Sequence, residues 1–428
     1  MSPVPTLVRD AQGRAVLGGV LLEDVLRARG VTTPAYVYDV DAIVAEARAL
    51  KAGYGDHDHL VCYAVKANTA GRIIRRLAEA GVGADVVSGG ELEVAVGAGV
   101  SPDRIVWSGV AKTDRELDRA ITIGERGIYA IQAESIEELD RIGARAKALG
   151  RTARVSVRIN PGIEADTHAH IATGHDEAKF GIPIADASIA FDRLRSLAGL
   201  QLVGASCHVG SQLTDTRDYA AGAEVLARLA VDWRERGAKL EYIDFGGGFG
   251  IDYGNGCEVQ PSDFARLSRD VALKMGLGDL RLLSEPGRSL VAAHGALVAS
   301  VIQSKRAHLG SRDARWLMID AGMNDLLRPA LYQARHRIEP LTLSNASQTT
   351  WRVAGPICES SDDFGDYELP IDAPSHVVIR DTGAYGFTMA SEYNGRGMPC
   401  EVFLEAGEIS SVSAGHDVYR WVRARLST

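Results

Sequence analysis

The sequence has no long apolar run, no block of basic residues and little cysteine. No segment of the 428 residues reaches the roughly 18 consecutive apolar residues of a membrane-spanning helix. Residues 1–20 lack the basic stretch followed by an apolar stretch that marks a secretory signal. The net charge is −9 and lysine and arginine are dispersed, which argues against nucleic acid and anionic membranes as partners. We therefore expect a cytoplasmic protein that acts on small molecules.

The cysteines are scattered and odd in number, and no two form a C-x-x-C pair. They are Cys62, Cys207, Cys257, Cys358 and Cys400. This spacing predicts reduced thiols, with neither a disulfide framework nor a zinc site. His168, His170 and His175 lie close together, but their spacing fits no common zinc motif and glycines flank them as in a loop. We therefore predict no metal site.

Short β-branched runs alternate with longer segments in which apolar residues recur every three or four positions. Eight runs of the first kind are His59–Ala67, Ala84–Ser88, Arg104–Gly109, Gly127–Gln132, Ala153–Asn160, Leu202–Val209, Tyr242–Gly246 and Leu282–Glu285. The helix-like segments between them include 70–80, 90–98, 113–123, 135–148 and 219–236. Eight strand-then-helix units predict an α/β fold, a (β/α)8 TIM barrel with its catalytic groups at the C-terminal ends of the strands.

The pattern changes after residue 290 to strands separated by loops. Examples are Trp316–Asp320, Thr350–Val353, His376–Ile379 and Glu401–Leu404. This predicts an all-β C-terminal domain, either a sandwich or a small barrel, to which the N-terminal residues could add a strand or two. We place the TIM barrel at residues 36–290 and the β domain at residues 1–35 and 291–428.

Lys66 ends the apolar stretch that begins at Val61, at the C-terminal end of the first predicted strand. An amine among apolar residues loses hydration and shifts towards its neutral, nucleophilic form, which is the form that reacts with an aldehyde. This suggests pyridoxal phosphate as cofactor. Taken alone, a lysine that closes a strand is more often only a solvated strand end.

Gly246, Gly247 and Gly248 lie at the end of the seventh predicted strand and directly after it. Glycines let the backbone approach a phosphate closely, and a helix that follows points its N-terminus at the anion. Gly287 and Arg288 bring a second such loop to the neighbouring position after the eighth strand, where barrels usually bind phosphate. For either loop alone, a glycine-rich turn without a ligand is the alternative.

The motifs downstream of Lys66 follow one another in a distinctive order. They are His208–Gln212 (HVGSQ), Asp244–Gly250 (DFGGGFG), Glu285–Arg288 (EPGR), Cys358–Asp362 (CESSD) and Gly383–Phe387 (GAYGF). In this order the sequence resembles the fold-type III decarboxylases that use pyridoxal phosphate, and within them it looks most like the diaminopimelate decarboxylases. The resemblance runs from about residue 30 almost to the C-terminus.

The resemblance implies that Glu285 binds the pyridine nitrogen, since a carboxylate there favours the protonated ring and makes it a better electron sink. Alanine racemase, which shares the barrel, has an arginine at this place, so glutamate favours decarboxylation. For an arbitrary Glu-Pro, a solvent-facing residue at the barrel rim is the alternative.

By the same resemblance His208 stacks on the cofactor ring, and Ser211 and Tyr385 add hydroxyl donors to the phosphate. A histidine at a strand end is otherwise more often structural. Asp85 corresponds to an aspartate near the lysine, where it helps set protonation; capping the turn that follows its strand is the alternative.

Cys358 adjoins Glu359 in a turn-prone segment after Gly355 and Pro356. In the family the matching cysteine reaches the active site of the partner subunit, which implies a homodimer with shared active sites. Cys358 is then a candidate donor of the proton that replaces CO2. A small apolar filler is the alternative.

The segment Asp320–Tyr332 is the candidate for substrate selection. A guanidinium and a phenol recognise a carboxylate through charge-assisted hydrogen bonds. By resemblance the distal carboxylate of diaminopimelate is bound by Arg328, Tyr332 and Arg288, its distal ammonium by Glu359, with Tyr385 also at the substrate. Ornithine would leave Arg328 without a carboxylate, and a structural Arg-Pro at a strand end is the alternative.

The resemblance implies decarboxylation of meso-diaminopimelate to L-lysine and CO2, the last step of bacterial lysine synthesis. One rival is a related decarboxylase that accepts another amino acid with a distal carboxylate, in secondary metabolism. A second rival is a non-catalytic relative, against which the intact set of Lys66, Glu285, Cys358 and Tyr385 argues. After Tyr393-Asn394 the family usually has a Ser-Arg-Pro-Arg run, whereas this chain has Gly395–Cys400 (GRGMPC). That departure leaves the local loop packing and the fine substrate preference open.

Overall fold

A computed structural model describes residues 6–163, 179–254, 256–257, 259–309, 312–415 and 417–427. The chain forms two compact units. The barrel unit comprises Glu46–Ile251 and Cys257–Ser289, and the β unit comprises Met1–Ala45, Asp252–Gly256 and Leu290–Thr428. The histidines 168, 170 and 175 lie outside the described residues.

The barrel unit is built on eight parallel strands within the described ranges. In chain order they are His59–Ala64, Gly83–Val86, Ile105–Trp107, Ala130–Ala133, Ala153–Asn160, Leu200–Cys207, Tyr242–Gly247 and Arg281–Glu285. Each strand pairs in parallel with the next, and the eighth pairs with the first, with Leu283 opposite Leu60, so that the sheet closes. The predicted TIM barrel is confirmed, and each of the eight predicted runs overlaps one of its strands.

Helices follow the strands because apolar residues recur at helical spacing. The helices of this unit are Gly71–Glu79, Gly89–Gly97, Asp114–Thr122, Ile136–Ala148, Ala187–Ser196, Arg217–Glu235 and Pro261–Lys274. Val40–Ala52 and Arg288–Val291 each include residues of both units. Side-chain caps fix several starts; Thr113 and Glu116, for example, form a reciprocal capping box that satisfies otherwise unpaired amides.

The β unit contains a large mixed sheet and a small antiparallel one. Its strands are Val8–Arg9, Ala15–Leu17, Val20–Leu21, Ala35–Asp39, Gly295–Leu309, Arg312–Ile319, Ile338–Pro340, Gln348–Ala354, Asp363–Pro370, His376–Ile379, Cys400–Glu405 and Glu408–Ser413. Its helices are Leu22–Arg27, Arg328–Tyr332 and Val418–Leu426. The predicted strands after residue 290 are therefore present, although short helices accompany them.

The strand Ala35–Asp39 corrects the expected start of the barrel at residue 36. It pairs antiparallel with Gly295–Leu309 and parallel with Cys400–Glu405, inside the sheet of the β unit. Val37, Val298 and Val402 from these three strands are buried together in one core. A short run of aromatic and β-branched residues can form a strand of either sheet, so the sequence could not show to which unit this run belongs. Among the described helices, none is both long and apolar enough to cross a membrane.

Candidate active site

Lys66 lies at the C-terminal end of the first barrel strand, as predicted. Residues Val65–Ala67 form a single 3-10 turn directly after the strand, and Val65 and Ala67 are buried. The turn directs the Lys66 side chain away from the core, so that it is 43% exposed. Its Nζ lies 3.5 Å from Asp85 Oδ2. The amine therefore has apolar neighbours along the chain and a carboxylate partner beside it.

Asp85 is fully buried on the second strand. Besides its contact with Lys66, it accepts a hydrogen bond of 2.6 Å from Ser108 Oγ. The helix that follows is capped by Ser88, which accepts from Glu91 N. The alternative that Asp85 caps this turn is therefore wrong, and Asp85 lies where it can influence the protonation of Lys66.

Glu285 ends the eighth strand and is buried, so it is not a solvent-facing rim residue. Gln132 Nε2 donates to Glu285 Oε1 at 2.7 Å, and Ser108 Oγ lies 3.2 Å from the same oxygen. Burial raises the pKa of Glu285 well above its usual value, and the neighbouring charges of Asp244 and Asp85 raise it further. A cationic nitrogen beside this carboxyl would supply the charge that favours its ionised form.

Asp244 completes this group on the seventh strand. It accepts from Gln132 Nε2 at 3.1 Å and from the backbone amide of Gly246 at 2.9 Å. Burial raises the pKa of Asp244 to about 6, even though these donors favour the carboxylate. Buried carboxyl groups from three strands thus meet around one serine and one glutamine.

His208 follows the sixth strand and is held by the glycine loop. The backbone amide of Gly247 donates to His208 Nδ1 at 3.3 Å. Desolvation by burial lowers the pKa of His208 well below its usual value, and the charges of Arg158 and Lys66 lower it further. Because the Gly247 amide donates to it, Nδ1 carries no hydrogen, and His208 presents a flat imidazole ring suited to stacking.

The three glycines at the C-terminal end of the seventh strand are required by close backbone approach. A Cβ on Gly246 would lie 2.3 Å from Cys207 O, one on Gly247 would lie 2.0 Å from Glu285 O, and one on Gly248 would lie 1.9 Å from Gly210 O. Gly246 and Gly248 also have φ of +75° and +85°. The loop is thus wedged between the ends of the sixth and eighth strands.

The loop after the eighth strand brings two further predicted residues together. Arg288 is buried, and its Nη2 donates to Ser211 Oγ at 3.0 Å. A Cβ on Gly287 would lie 3.0 Å from Ala67 Cβ, next to Lys66 in the chain. A guanidinium and a hydroxyl beside glycine turns form a donor set that suits a phosphate.

These barrel residues fit pyridoxal phosphate by the chemistry of their donors. The cofactor presents an aldehyde, a basic ring nitrogen and a phosphate, and the barrel offers an amine, a buried carboxyl group and a close-packed glycine turn with an arginine. The described part of the chain contains no group of three or more His, Cys, Asp or Glu side chains that could hold a metal ion.

In the β unit, Arg328 and Tyr332 are the first and last residues of one short helix. A spacing of four places them on the same helix face. Arg328 is buried and lies over the Tyr253 ring, with 4.8 Å from its guanidinium carbon to the ring centroid. Arg328 Nη1 donates to Tyr253 Oη at 3.1 Å and to His336 Nε2 at 2.9 Å. Arg328, which was predicted to bind the distal carboxylate, is therefore held in place by Tyr253 and His336, two residues that we did not predict.

Cys358 and Glu359 lie in a loop organised by Asp362. Asp362 accepts the backbone amides of Ile357 and Met323, both at 2.6 Å. The second bond ties this loop to the segment that leads to Arg328. The Cys358 thiol is on an exposed residue, so it is not a buried apolar filler.

The segment Gly395–Cys400, which departs from the family pattern, directly follows two residues that contact this loop. Asn394 Oδ1 accepts the backbone amide of Cys358 at 2.9 Å, and the Tyr393 hydroxyl donates to Glu359. Gly395 has a φ of +70°, and a Cβ there would lie 3.3 Å from the Trp421 ring. The loop packing that the sequence left open is thus a contact between Gly395 and the C-terminal helix.

Tyr385, the remaining predicted residue, lies in the loop after His376–Ile379 with a left-handed φ of +55°. Close packing surrounds this loop, since a Cβ on Gly383 would lie 1.9 Å from Val291 O. A strained tyrosine backbone held by such packing is common at ligand sites.

Ser108, Gln132, Asp244, Tyr253 and His336 were missed as site residues. Ser108 and Gln132 are ordinary polar residues in or after barrel strands, and only their inward direction marks them. Asp244 opens the glycine motif, and its strand-end position was a usable signal. Tyr253 and His336 reach Arg328 from 75 and 8 residues away, so sequence offered no local signal.

Comparison with known proteins places the chain in a family. A family model described as "Pyridoxal-dependent decarboxylase, pyridoxal binding domain" matches residues 40–292. The diaminopimelate decarboxylase of Aquifex aeolicus is 36% identical over 94% of this chain and 93% of the relative, and that of Neisseria meningitidis is 39% identical over 93% of each.

Solved structures of diaminopimelate decarboxylases are also similar to this chain. Diaminopimelate decarboxylase from Helicobacter pylori complexed with L-lysine has a TM-score of 0.87 and 36% identity, covering 95% of this chain and 99% of that one. The enzyme from M. jannaschii in co-complex with L-lysine has a TM-score of 0.90 and 34% identity, covering 100% and 99%. The predicted resemblance, the decarboxylase class and the cofactor are confirmed. The chain belongs to the pyridoxal-dependent decarboxylases and, within them, to the diaminopimelate decarboxylase family.

Proposed function

We propose that the chain decarboxylates meso-2,6-diaminopimelate at its D-configured centre and releases L-lysine and CO2, as the last step of lysine biosynthesis. The observation that carries the substrate assignment is the buried guanidinium of Arg328, with Tyr332 one helical turn away. A buried cation held by fixed partners suits a substrate with a distal carboxylate, which ornithine and lysine lack.

Pyridoxal phosphate, when bound, supplies a ring that draws electrons from Cα and stabilises the negative charge left when CO2 departs. Lys66 would hold its aldehyde, Glu285 its ring nitrogen and His208 its ring face. The phosphate would be held by Gly246, Gly247, Gly248, Ser211, Gly287, Arg288 and Tyr385.

The remaining steps fall to side chains of this chain. Asp85 lies 3.5 Å from Lys66 Nζ and stabilises the ammonium form of Lys66. It thereby helps to determine the protonation state of the Lys66 amine. Arg328, Tyr332 and Arg288 bind the distal carboxylate and Glu359 the distal ammonium. Cys358 or Lys66 gives a proton to Cα after the carboxylate leaves.

We also propose a homodimer with shared active sites. Support comes from the exposed thiol of Cys358, which a site on a second copy would cover, and from Leu331, which is 48% exposed on the helix of Arg328. A proton-donating thiol must stay reduced, and the five cysteines form no disulfide, so we place the protein in the cytoplasm.

The test is a substrate panel. The purified protein with pyridoxal phosphate is incubated separately with meso-diaminopimelate, L-lysine, L-ornithine and L-arginine, while CO2 release and the chirality of the product are followed. We expect CO2 from meso-diaminopimelate alone, with L-lysine as product. Release from a simple diamino acid, or D-lysine as product, would contradict the assignment.

A further inference from the structure

Two hydrogen bonds made by one nitrogen, Nη1, orient the guanidinium of Arg328. Its Nη1 donates to His336 Nε2 at 2.9 Å and to Tyr253 Oη at 3.1 Å. The guanidinium also lies over the Tyr253 ring, and the rings of Tyr253 and His336 meet edge to face, with centroids 5.3 Å apart and an interplanar angle of 81°. Two aromatic side chains thus form a corner that holds the cation.

The hydrogen bonds of His336 determine its tautomer. Arginine has donors and no acceptor, so the Nε2 that faces Arg328 Nη1 carries no hydrogen. The other ring nitrogen, Nδ1, lies 3.0 Å from the carbonyl oxygen of Arg380, which can only accept, so Nδ1 carries the hydrogen. His336 is therefore a neutral imidazole, and it adds no charge of its own beside Arg328.

The local fold brings these residues together although they are separated in sequence. The helix Arg328–Tyr332 ends at Gln333, whose φ of +54° turns the chain back so that His336 returns to the helix start. His336 is 1% exposed, and its carbonyl accepts from Tyr367 Oη at 2.7 Å. The imidazole is thus fixed through its backbone as well as through its ring.

We propose that His336 and Tyr253 are positioning residues that orient Arg328 towards the distal carboxylate of the substrate, with His336 acting as an obligatory hydrogen-bond acceptor. The proposal rests on the proposed function, because it deepens the substrate role of Arg328. A guanidinium whose direction is fixed by His336 and Tyr253 recognises a carboxylate in one direction, and substrates without a distal carboxylate gain nothing from it.

The kinetic test uses the holoenzyme and five variants. His336→Phe keeps the ring contact with Tyr253 and removes the acceptor, so we expect KM for meso-diaminopimelate to rise about tenfold or more with a smaller change in kcat. His336→Gln retains an acceptor oxygen and should recover most of the loss, and Tyr253→Phe should raise KM by a lesser factor. His376→Phe, a histidine whose ring lies beside its neighbour Ser375, is the matched control and should leave KM unchanged.

Arg328→Gln separates this proposal from the proposed function. If Arg328→Gln raises KM and His336→Phe does not, the positioning role is overturned while the substrate assignment stands. If neither raises KM, both are overturned.

A measurement independent of turnover covers the case in which His336→Phe does not fold. In protein with 15N-labelled histidine, the His336 signals, identified by their absence from His336→Gln, should show a protonated Nδ1 and an unprotonated Nε2 at neutral pH. A hydrogen on Nε2 would overturn the proposal.

Discussion

Gln132 Nε2 lies 2.7 Å from Glu285 Oε1 and 3.1 Å from Asp244 Oδ2. An amide nitrogen carries two hydrogens, so Gln132 can satisfy both buried carboxyl groups at once. Asp244 also accepts the amide of Gly246, the first residue of the glycine loop. The group proposed for the ring nitrogen and the loop proposed for the phosphate therefore share one hydrogen-bond network.

Gln132→Leu should lower kcat about 10- to 100-fold, because losing donors to buried carboxylates costs roughly 1–3 kcal/mol. The loss of donors also raises the pKa of both carboxyl groups, so the acidic limb of the kcat profile should move to higher pH. Steady-state kinetics at saturating pyridoxal phosphate measures both effects. Gln201→Leu, on an exposed strand position, is the control; an unchanged kcat in Gln132→Leu would disprove the role.

Gly248→Ala should strongly weaken binding of pyridoxal phosphate, because the new Cβ would lie 1.9 Å from Gly210 O and force the loop apart. Gly237→Ala is a matched control, since Gly237 has a similar φ of +89° and nothing within 4 Å of the added carbon. Gly237→Ala introduces similar backbone strain, which costs about 1 kcal/mol of stability, but it introduces no steric clash. Titration of each apoprotein with the cofactor, followed by absorbance, compares their dissociation constants. Equal constants would refute the steric explanation.

The barrel could be predicted from sequence because each strand is a short β-branched run followed by a helix of regular apolar spacing. The same reasoning misassigned Ala35–Asp39, since a five-residue strand carries no information about its pairing partner. Lys66 was proposed first from its position at a strand end, and Glu285 and His208 from the family resemblance, and all three lie at the C-terminal ends of barrel strands. Ser108 and Gln132 were not found because their role depends on which way a side chain points and on distances to other strands.

Glu401→Gln should reduce the pH dependence of stability. Glu401 is buried, and burial raises its pKa from 4.5 to about 7, although Tyr38 Oη donates to it at 3.1 Å. The folded state therefore binds a proton that the unfolded state has released. This contribution is complete below about pH 4.5 and is lost as the pH rises through about 7.

At pH 8 the glutamine variant should therefore be more stable than the wild type by about 3 kcal/mol, relative to their difference at pH 4.5. Denaturant unfolding at both pH values measures the free energy. Glu408→Gln, an exposed glutamate on the neighbouring strand, is the control. Parallel pH profiles for the wild type and Glu401→Gln would rule out a protonated Glu401.

Mixing two inactive variants tests whether active sites are shared between subunits. Lys66→Ala should abolish turnover and Cys358→Ala should greatly reduce it. If each site combines Lys66 of one subunit with Cys358 of the other, a mixed dimer has one site with both residues intact. Random reassociation should then restore about a quarter of the wild-type activity, since half of the dimers are mixed and half of their sites are complete. The readout is CO2 release after the two variants are dissociated and refolded together, with each variant refolded alone as the control. Activity no greater than the mean of the separate variants would show that each site draws both residues from one chain.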